Sequence, residues 1–157
     1  MKTNNNPLDI QNTSKLSKHF QKLDTDSLSG TNHYFENYAP SELTDSCRIL
    51  STPSSFAKET LFYIQEIGRL KSLKSHTSKR ESLDSYLYII VISGSGIFTY
   101  NGCSFNVNSG DHIFIDCKRP YSHKSSNQDP WELLWVHFNG PLMNRYFDYY
   151  SNKNIIF

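Results

Sequence analysis

The chain has 157 residues, of which 14% are aromatic and 37% hydrophobic, and its formal net charge is +1. This length fits one domain with a sizeable core. The near-zero charge argues against a nucleic-acid-binding domain, because binding to phosphates depends on an excess of basic residues. Three cysteines are too few for a disulfide framework, and the polar N-terminus has no apolar signal core. We therefore expect a cytoplasmic protein with free thiols and no membrane span.

The first part of the chain is polar and rich in turn residues. We expect residues 1–58 to form a polar N-terminal arm, partly mobile. Within it, the apolar spacing in residues 13–23 predicts one short helix. An alternative is an arm that packs on the following domain through Tyr34, Phe35 and Tyr38.

Residues 59–139 change to short apolar runs separated by turns about every ten residues, which is typical of an all-β barrel or sandwich. The predicted strands are Leu61–Ile67, a short one within Lys71–Arg80, Tyr86–Ile92, Ile97–Tyr100, Ser104–Val107, His112–Ile115 and Leu133–Phe138. The run Tyr86–Ile92 has no alternation, which predicts burial on both faces. Asn101-Gly102 predicts a tight hairpin. Gly94 and Gly96 predict a second tight reversal of the chain direction.

Residues 140–157 predict the start of a helical region. Pro141 suits the first helical position, and the apolar residues that follow it lie on one helical stripe. These residues are Leu142, Met143, Tyr146, Phe147 and Tyr150.

Alternation along the last strand suggests where a cavity could lie. Leu133, Trp135 and His137 share one face, while Leu134 and Phe138 lie on the other. The first face mixes an indole and an imidazole, which favours a wet cavity over plain core. A barrel of this size either takes one small ligand or is filled by side chains.

The order of the turns resembles the sensor barrel of the AraC/XylS transcription regulators, over roughly residues 60–157. The segments that carry the resemblance are Ser93-Gly94-Ser95-Gly96, Tyr100-Asn101-Gly102, Ser109-Gly110-Asp111, Pro120-Tyr121-Ser122-His123 and Asp129-Pro130-Trp131. It implies a mostly β, cupin-like barrel of the double-stranded β-helix or jelly-roll type. It also implies a small-molecule effector, a sugar or sugar derivative, bound inside the barrel.

Carried over by position, the resemblance implies particular ligand-binding residues. Arg80 is expected as the main charged donor, Trp135 as a stacking platform and His123 as a residue beside the ligand. Tyr88, Tyr121 and His137 are their expected neighbours. Each also has a structural alternative, such as a surface arginine, a core tryptophan or an exposed turn histidine.

Full-length members of this family continue into helices that mediate dimerisation and into a pair of helix-turn-helix units. We interpret this chain as an excised sensor domain, because it ends at a domain edge. The resemblance then implies a homodimer for the full-length regulator. DNA is expected to be contacted only through a C-terminal domain absent here, so this part alone should not bind DNA specifically.

The alternative function is a small metal-dependent cupin enzyme, such as an isomerase or dioxygenase. Such cupins carry a His-x-His…Glu cluster and a later histidine. Here the first strand pair offers only His76, and Tyr121 takes the later position. Because a metal needs three or four converging ligands, we expect no metal, no cofactor and no enzyme activity. A third possibility is a dimerisation module with a filled barrel.

Overall fold

The computed structural model describes residues 42–151. The elements in this range are β1 Thr44–Leu50, α1 Ser55–Thr60, β2 Tyr63–Ser72, β3 Thr77–Arg80, β4 Tyr86–Ser93, β5 Ser95–Tyr100, β6 Cys103–Asn108, β7 His112–Asp116, β8 Tyr121–Ser125, β9 Glu132–Asn139 and α2 Met143–Ser151. The helix predicted in residues 13–23 and the predicted contact through Tyr34, Phe35 and Tyr38 lie outside the described residues. Neither α1 nor α2 has the length and apolar character that a helix needs to cross a lipid bilayer.

The strands form two antiparallel sheets. The larger has the order β1-β2-β9-β4-β7 and the smaller the order β3-β8-β5-β6. Inward and outward side chains alternate along the strands, so that each sheet buries one face against the other. The most deeply buried residues between the sheets include Val91, Phe98, Val107, Ile113, Ile115 and Trp131. The predicted mostly β, cupin-like barrel is thereby confirmed.

Two of the predicted turns have different outcomes. Asn101 and Gly102 both have positive φ, 48° and 83°, and join β5 to β6 as the predicted hairpin. Gly94 also has a positive φ, 74°, but it connects β4 in the larger sheet to β5 in the smaller one. The predicted reversal at Gly94 is therefore wrong, and the glycine marks a crossing between sheets.

The larger sheet begins inside the segment predicted as an N-terminal arm. Strand β1 pairs with β2 from Thr44 opposite Ser72 to Leu50 opposite Glu66. Most of its residues are exposed, because β1 is the edge strand. An edge strand of this kind lacks the apolar alternation that reveals a strand in the sequence.

Helix α2 packs on one end of the larger sheet through Met143 and Phe147, both buried. The Phe147 ring lies 5.5 Å from the ring of Tyr86. This helix explains the burial of β4. Tyr86 is buried on the outer face beneath the helix, whereas Ile92, further along the same face, is 45% exposed. Burial of β4 on both faces is therefore confined to its first residues.

We predict that Gly96→Ala lowers the free energy of unfolding by about 1–3 kcal/mol. A Cβ at Gly96 would stand 2.3 Å from Cζ3 of Trp131 and 2.5 Å from the backbone oxygen of Lys124. Urea unfolding measures the loss, and Ser95→Ala, on the preceding residue, should stay within about 0.5 kcal/mol of the wild type. A Gly96→Ala protein as stable as the wild type would contradict the close packing at this point.

Candidate functional site

A small cavity lies between the two sheets. Its volume is about 20 Å³, which is room for about one water molecule. Leucine and isoleucine side chains of the larger sheet form the apolar part of its wall. The polar and aromatic part consists of Arg80, Tyr121, His123, Trp135 and His137. The structure thus brings together all but one of the residues that the sequence predicts for the site.

The indole of Trp135 forms part of the wall contributed by the larger sheet. Trp135 lies on β9, opposite Gly68 of β2 and Ile89 of β4. A Cβ at Gly68 would stand 2.4 Å from Cη2 of the indole, so the ring lies directly over the glycine backbone. The absence of a side chain at Gly68 therefore makes room for the indole.

Arg80 is the last residue of β3, opposite Tyr121 of β8. Strand β3 is an edge strand of the smaller sheet, and Arg80 reaches inward from it to the cavity. Its positive charge contributes to lowering the pKa values of His123 and His137. Burial is the main reason that both imidazoles are neutral, and the guanidinium adds to the effect, so the arginine is the cationic group of the cavity.

His123 contacts two aromatic rings. Its imidazole is parallel to the ring of Phe98 at 6.4 Å, and it lies 5.6 Å from Trp131. Burial lowers the pKa of His123 to about 3, with smaller contributions from His76 and Arg80. Although the residue as a whole is only half-buried, its ring Nδ1 is shut off from solvent and has no hydrogen-bond partner among residues 42–151. This nitrogen is chemically suited to a ligand hydroxyl or a water.

His137 is more fully enclosed, at 4% exposure. Its Nδ1 lies 2.9 Å from the Ser85 hydroxyl and 4.0 Å from the Cys117 sulfur. Burial lowers the pKa of His137 to about 4, and the charge of Arg80 adds to the effect. The hydrogen bond with Ser85 fixes the ring, so His137 combines a structural role with a place in the cavity wall.

The two tyrosines predicted for the site lie on different sides of the sheets. Tyr121 is buried, stacks on Phe98 at 6.2 Å and lines the cavity. Tyr88 instead lies on the outer face of β4, where its hydroxyl hydrogen-bonds with Nδ1 of His112. Because side chains alternate along a strand, Leu87 and not Tyr88 faces the cavity. The placement of Tyr88 beside the ligand is therefore corrected.

Glu66 and its ion-pair partner Arg48 are two charged residues that were not predicted from the sequence. Glu66 of β2 is 3% exposed and lies opposite His137 of β9. Its Oε1 is 3.4 Å from Nη1 of Arg48, on β1. Burial raises the pKa of Glu66, against the opposing effects of Arg48 and Arg80. The alternation of Glu66, Gly68 and Leu70 in β2 is the signal that could have revealed the inward direction of this carboxylate.

His76 lies beside His123, and the centroids of the two imidazole rings are 6.1 Å apart. Its Nδ1 is 3.3 Å from the hydroxyl of Ser72, and burial lowers its pKa. In the part of the chain that the structure describes, no group of three or more His, Cys, Asp or Glu side chains is placed to hold a metal ion.

Solved structures similar to this chain include cupin proteins. A Cupin 2 conserved barrel domain protein from Leptotrichia buccalis is 19% identical, with a TM-score of 0.48, and the match covers 60% of this chain and 40% of that one. Pac13 from Streptomyces, a nucleoside dehydratase, is 15% identical, with a TM-score of 0.43 and coverage of 60% and 69%. At these values neither similarity bears on function.

Sequence comparison gives a more specific result. The lactose operon transcription activator of Staphylococcus xylosus is 32% identical over 57 residues, which are 36% of this chain and 20% of that regulator. The chain therefore matches only about a fifth of the length of this relative. The family model described as AraC-like ligand binding domain matches residues 64–154, more than half of the chain. The chain belongs to the AraC-like ligand binding domain family, the family that the order of its turns resembles.

Proposed function

We propose that this domain binds a sugar or sugar derivative in the cavity between its sheets, and acts as the effector sensor of a transcription regulator. The observation that carries the proposal is the convergence of Arg80, His123 and Trp135, from three strands, on one cavity. Sugar hydroxyls need aimed donors and acceptors, and sugar C–H faces pack on aromatic rings. The similarity to a lactose operon activator supports a sugar as the effector.

Ligand entry requires the cavity to widen. Its volume of about 20 Å³ is far below the roughly 300 Å³ at which small-molecule pockets begin. Arg80 lies on a strand of four residues at the edge of the smaller sheet, so moving it disturbs fewer backbone hydrogen bonds than moving a central strand. In this proposal the ligand binds the open arrangement more tightly and shifts the population toward it.

Membership of this family is the basis for what we propose about the rest of the regulator. DNA would be contacted by a domain outside this barrel, and the full-length regulator would act as a homodimer. The role of the barrel in this scheme is regulatory, and we assign no catalytic residue to it.

A second candidate is a barrel that serves for protein association and binds no small molecule. The observation that favours it is the same small volume, since the interior is nearly filled by side chains. The two candidate functions predict different effects of a sugar on the stability of the domain. A sensor is stabilised by its effector, whereas a filled barrel is not stabilised by any sugar.

We predict that Arg80→Ala abolishes stabilisation by the effector and leaves the fold nearly intact. The reason is that a half-buried arginine held for a ligand contributes little to the core. A thermal-shift screen of monosaccharides and oligosaccharides first identifies a stabilising sugar, which at a hundred times its Kd adds about 2.7 kcal/mol.

The matched control for this experiment is Arg145→Ala, which removes an exposed arginine of α2. It should bind the sugar as the wild type does. An Arg80→Ala protein that keeps the full ligand-induced shift would contradict the placement of Arg80 at the ligand. A wild-type protein stabilised by no sugar would favour the filled barrel.

A further inference from the structure

Glu66 is a buried carboxylate beside the proposed ligand site. Its side chain is 4% exposed, and it lies directly opposite His137 in the register of β2 and β9. Residues opposite each other in antiparallel strands project to the same face of the sheet, with Cβ atoms about 5 Å apart. Glu66 therefore lies next to His137, which lines the cavity together with Arg80.

The charged and titratable groups around Glu66 come from several strands. Arg48 of β1 is in hydrogen-bonding contact with its carboxylate, and Arg80 of β3 acts on it through its charge. His137 lies opposite on β9, and the Cys117 thiol lies 4.0 Å from the imidazole of His137. The imidazole and the thiol are neutral near pH 7, because burial lowers the first pKa to about 4 and raises the second to about 12. The local charge is thus set by two arginines and one carboxylate.

Burial works against the ionised form of this carboxylate. Burial raises the pKa of Glu66 even though two arginines oppose the rise. A glutamine of the same shape would avoid the desolvation of a charge and would still accept a hydrogen bond from Arg48, whose own charge is partly exposed to solvent. Stability alone therefore does not explain a glutamate at this position. Buried groups of this kind are concentrated at functional sites.

The Glu66 carboxylate and the Arg80 guanidinium together have the acceptors and donors that neighbouring hydroxyls of a sugar require. An ionised carboxylate accepts hydrogen bonds through two oxygens, and a guanidinium donates several in a fixed fork. The carboxylate also offsets one of the two arginine charges. Without it, two uncompensated guanidinium groups would attract phosphorylated or carboxylated ligands.

We propose that Glu66 is a specificity-determining residue that positions Arg80 and selects uncharged polyhydroxyl ligands over anionic ones. The inference rests on the proposed function, because it concerns the ligand of the same cavity. It also gives ligand binding a pH dependence of known sign. Protonation of Glu66 removes the carboxylate, and its raised pKa places this loss at a higher pH than for an ordinary glutamate. Affinity for a neutral sugar should therefore fall on acidification, and the fall should be absent from Glu66→Gln.

The test compares binding of galactose, lactose and galactose 6-phosphate by calorimetry to the wild type, Glu66→Gln and Glu66→Asp. Glu66→Gln should fold with an unchanged or higher melting temperature, which a purely structural carboxylate would not allow. Its Kd for the neutral sugar should rise at least about tenfold, and its preference should move toward galactose 6-phosphate by a similar factor. Glu66→Asp keeps the charge and should keep the pH dependence. Glu59→Gln makes the same chemical change at an exposed site of α1 and should bind as the wild type does.

Several outcomes overturn the inference. A Glu66→Gln protein that binds the neutral sugar with the wild-type Kd refutes it and leaves the proposed function standing. A wild type that binds galactose 6-phosphate more tightly than the neutral sugars also refutes the inference and leaves the proposed function standing. A Glu66→Gln protein that loses its folded structure identifies the carboxylate as a stability element and also refutes it. A wild type that binds none of these sugars, nor any sugar of the thermal-shift screen, removes the proposed function and the inference together.

Discussion

Replacing Trp135 by alanine is expected to lower the free energy of unfolding by about 3–5 kcal/mol, the usual cost of deleting a large buried aromatic side chain. The indole is 7% exposed, and it covers the backbone of Gly68 with no side chain beneath it to fill the space. Since Trp135 also forms part of the cavity wall, the same variant should lose its response to sugar. Urea unfolding monitored by circular dichroism measures the first effect, and calorimetry measures the second.

Leu134→Ala is the matched control, because it truncates the neighbouring side chain on the opposite face of β9. Leu134 is 40% exposed, so its loss should cost well under half as much as the loss of Trp135. Its response to sugar should be unchanged. Equal destabilisation by the two substitutions would contradict the assignment of the Trp135 face to the interior.

Acidification from neutral pH toward pH 4 is expected to remove a large part of the stability of the domain. Burial lowers the pKa of His137 to about 4 and of His123 to about 3, from an ordinary value of 6.5. The unfolded chain therefore binds protons below about pH 6.5 that the folded protein does not yet bind. The stability due to the neutral imidazoles is complete above pH 6.5 and is lost as the pH falls toward the folded-state pKa values.

The size of this loss follows from the pKa differences. One pKa unit corresponds to about 1.4 kcal/mol, so each histidine accounts for an amount on the order of a few kcal/mol once the pH has fallen below its folded-state pKa. Whole domains have a stability of about 5–15 kcal/mol. The raised pKa of Glu66 acts in the opposite direction, because the folded protein takes up that proton at a higher pH than the unfolded chain.

Urea unfolding at about pH 7.5 and about pH 5 tests this expectation, with the wild type and His137→Gln compared at each pH. Glutamine does not titrate, so the variant should lose less stability between the two pH values than the wild type. The variant starts from a lower stability at neutral pH, since the ring also packs, but the difference between the two pH values is the relevant quantity. A wild type of equal stability at both pH values would refute the role of the buried histidines.

Much of the fold could be predicted because strand burial leaves a period of two in the sequence. The shared face of Leu133, Trp135 and His137 follows from that period alone, and the structure places all three at the cavity. The hairpin at Asn101-Gly102 follows from the need for positive φ at both positions. Strand β1 could not be predicted, because an exposed edge strand leaves no apolar alternation.

The site was predictable only in part, for two physical reasons. Arg80 followed from the resemblance and not from periodicity, since a four-residue edge strand carries too little pattern. Glu66 was missed because a charged residue is expected at the surface unless its partner is known. That partner, Arg48, lies 18 residues earlier in a strand that the sequence does not reveal. Tyr88 lies on the opposite face of β4 from Leu87, which lines the cavity, and the alternation in the sequence does not tell which of the two faces is inward.

The three cysteines differ sharply in accessibility, and this gives the domain an internal chemical reporter. Cys47 and Cys103 are exposed, whereas Cys117 is buried and burial raises its pKa to about 12. The thiolate is the form of cysteine that attacks an alkylating reagent, so the two exposed thiols react first and the buried Cys117 reacts only when the sheets separate. The rate of the third modification therefore measures how often the barrel opens. An effector that shifts the population toward the open arrangement would raise that rate and leave the rates of the other two thiols unchanged.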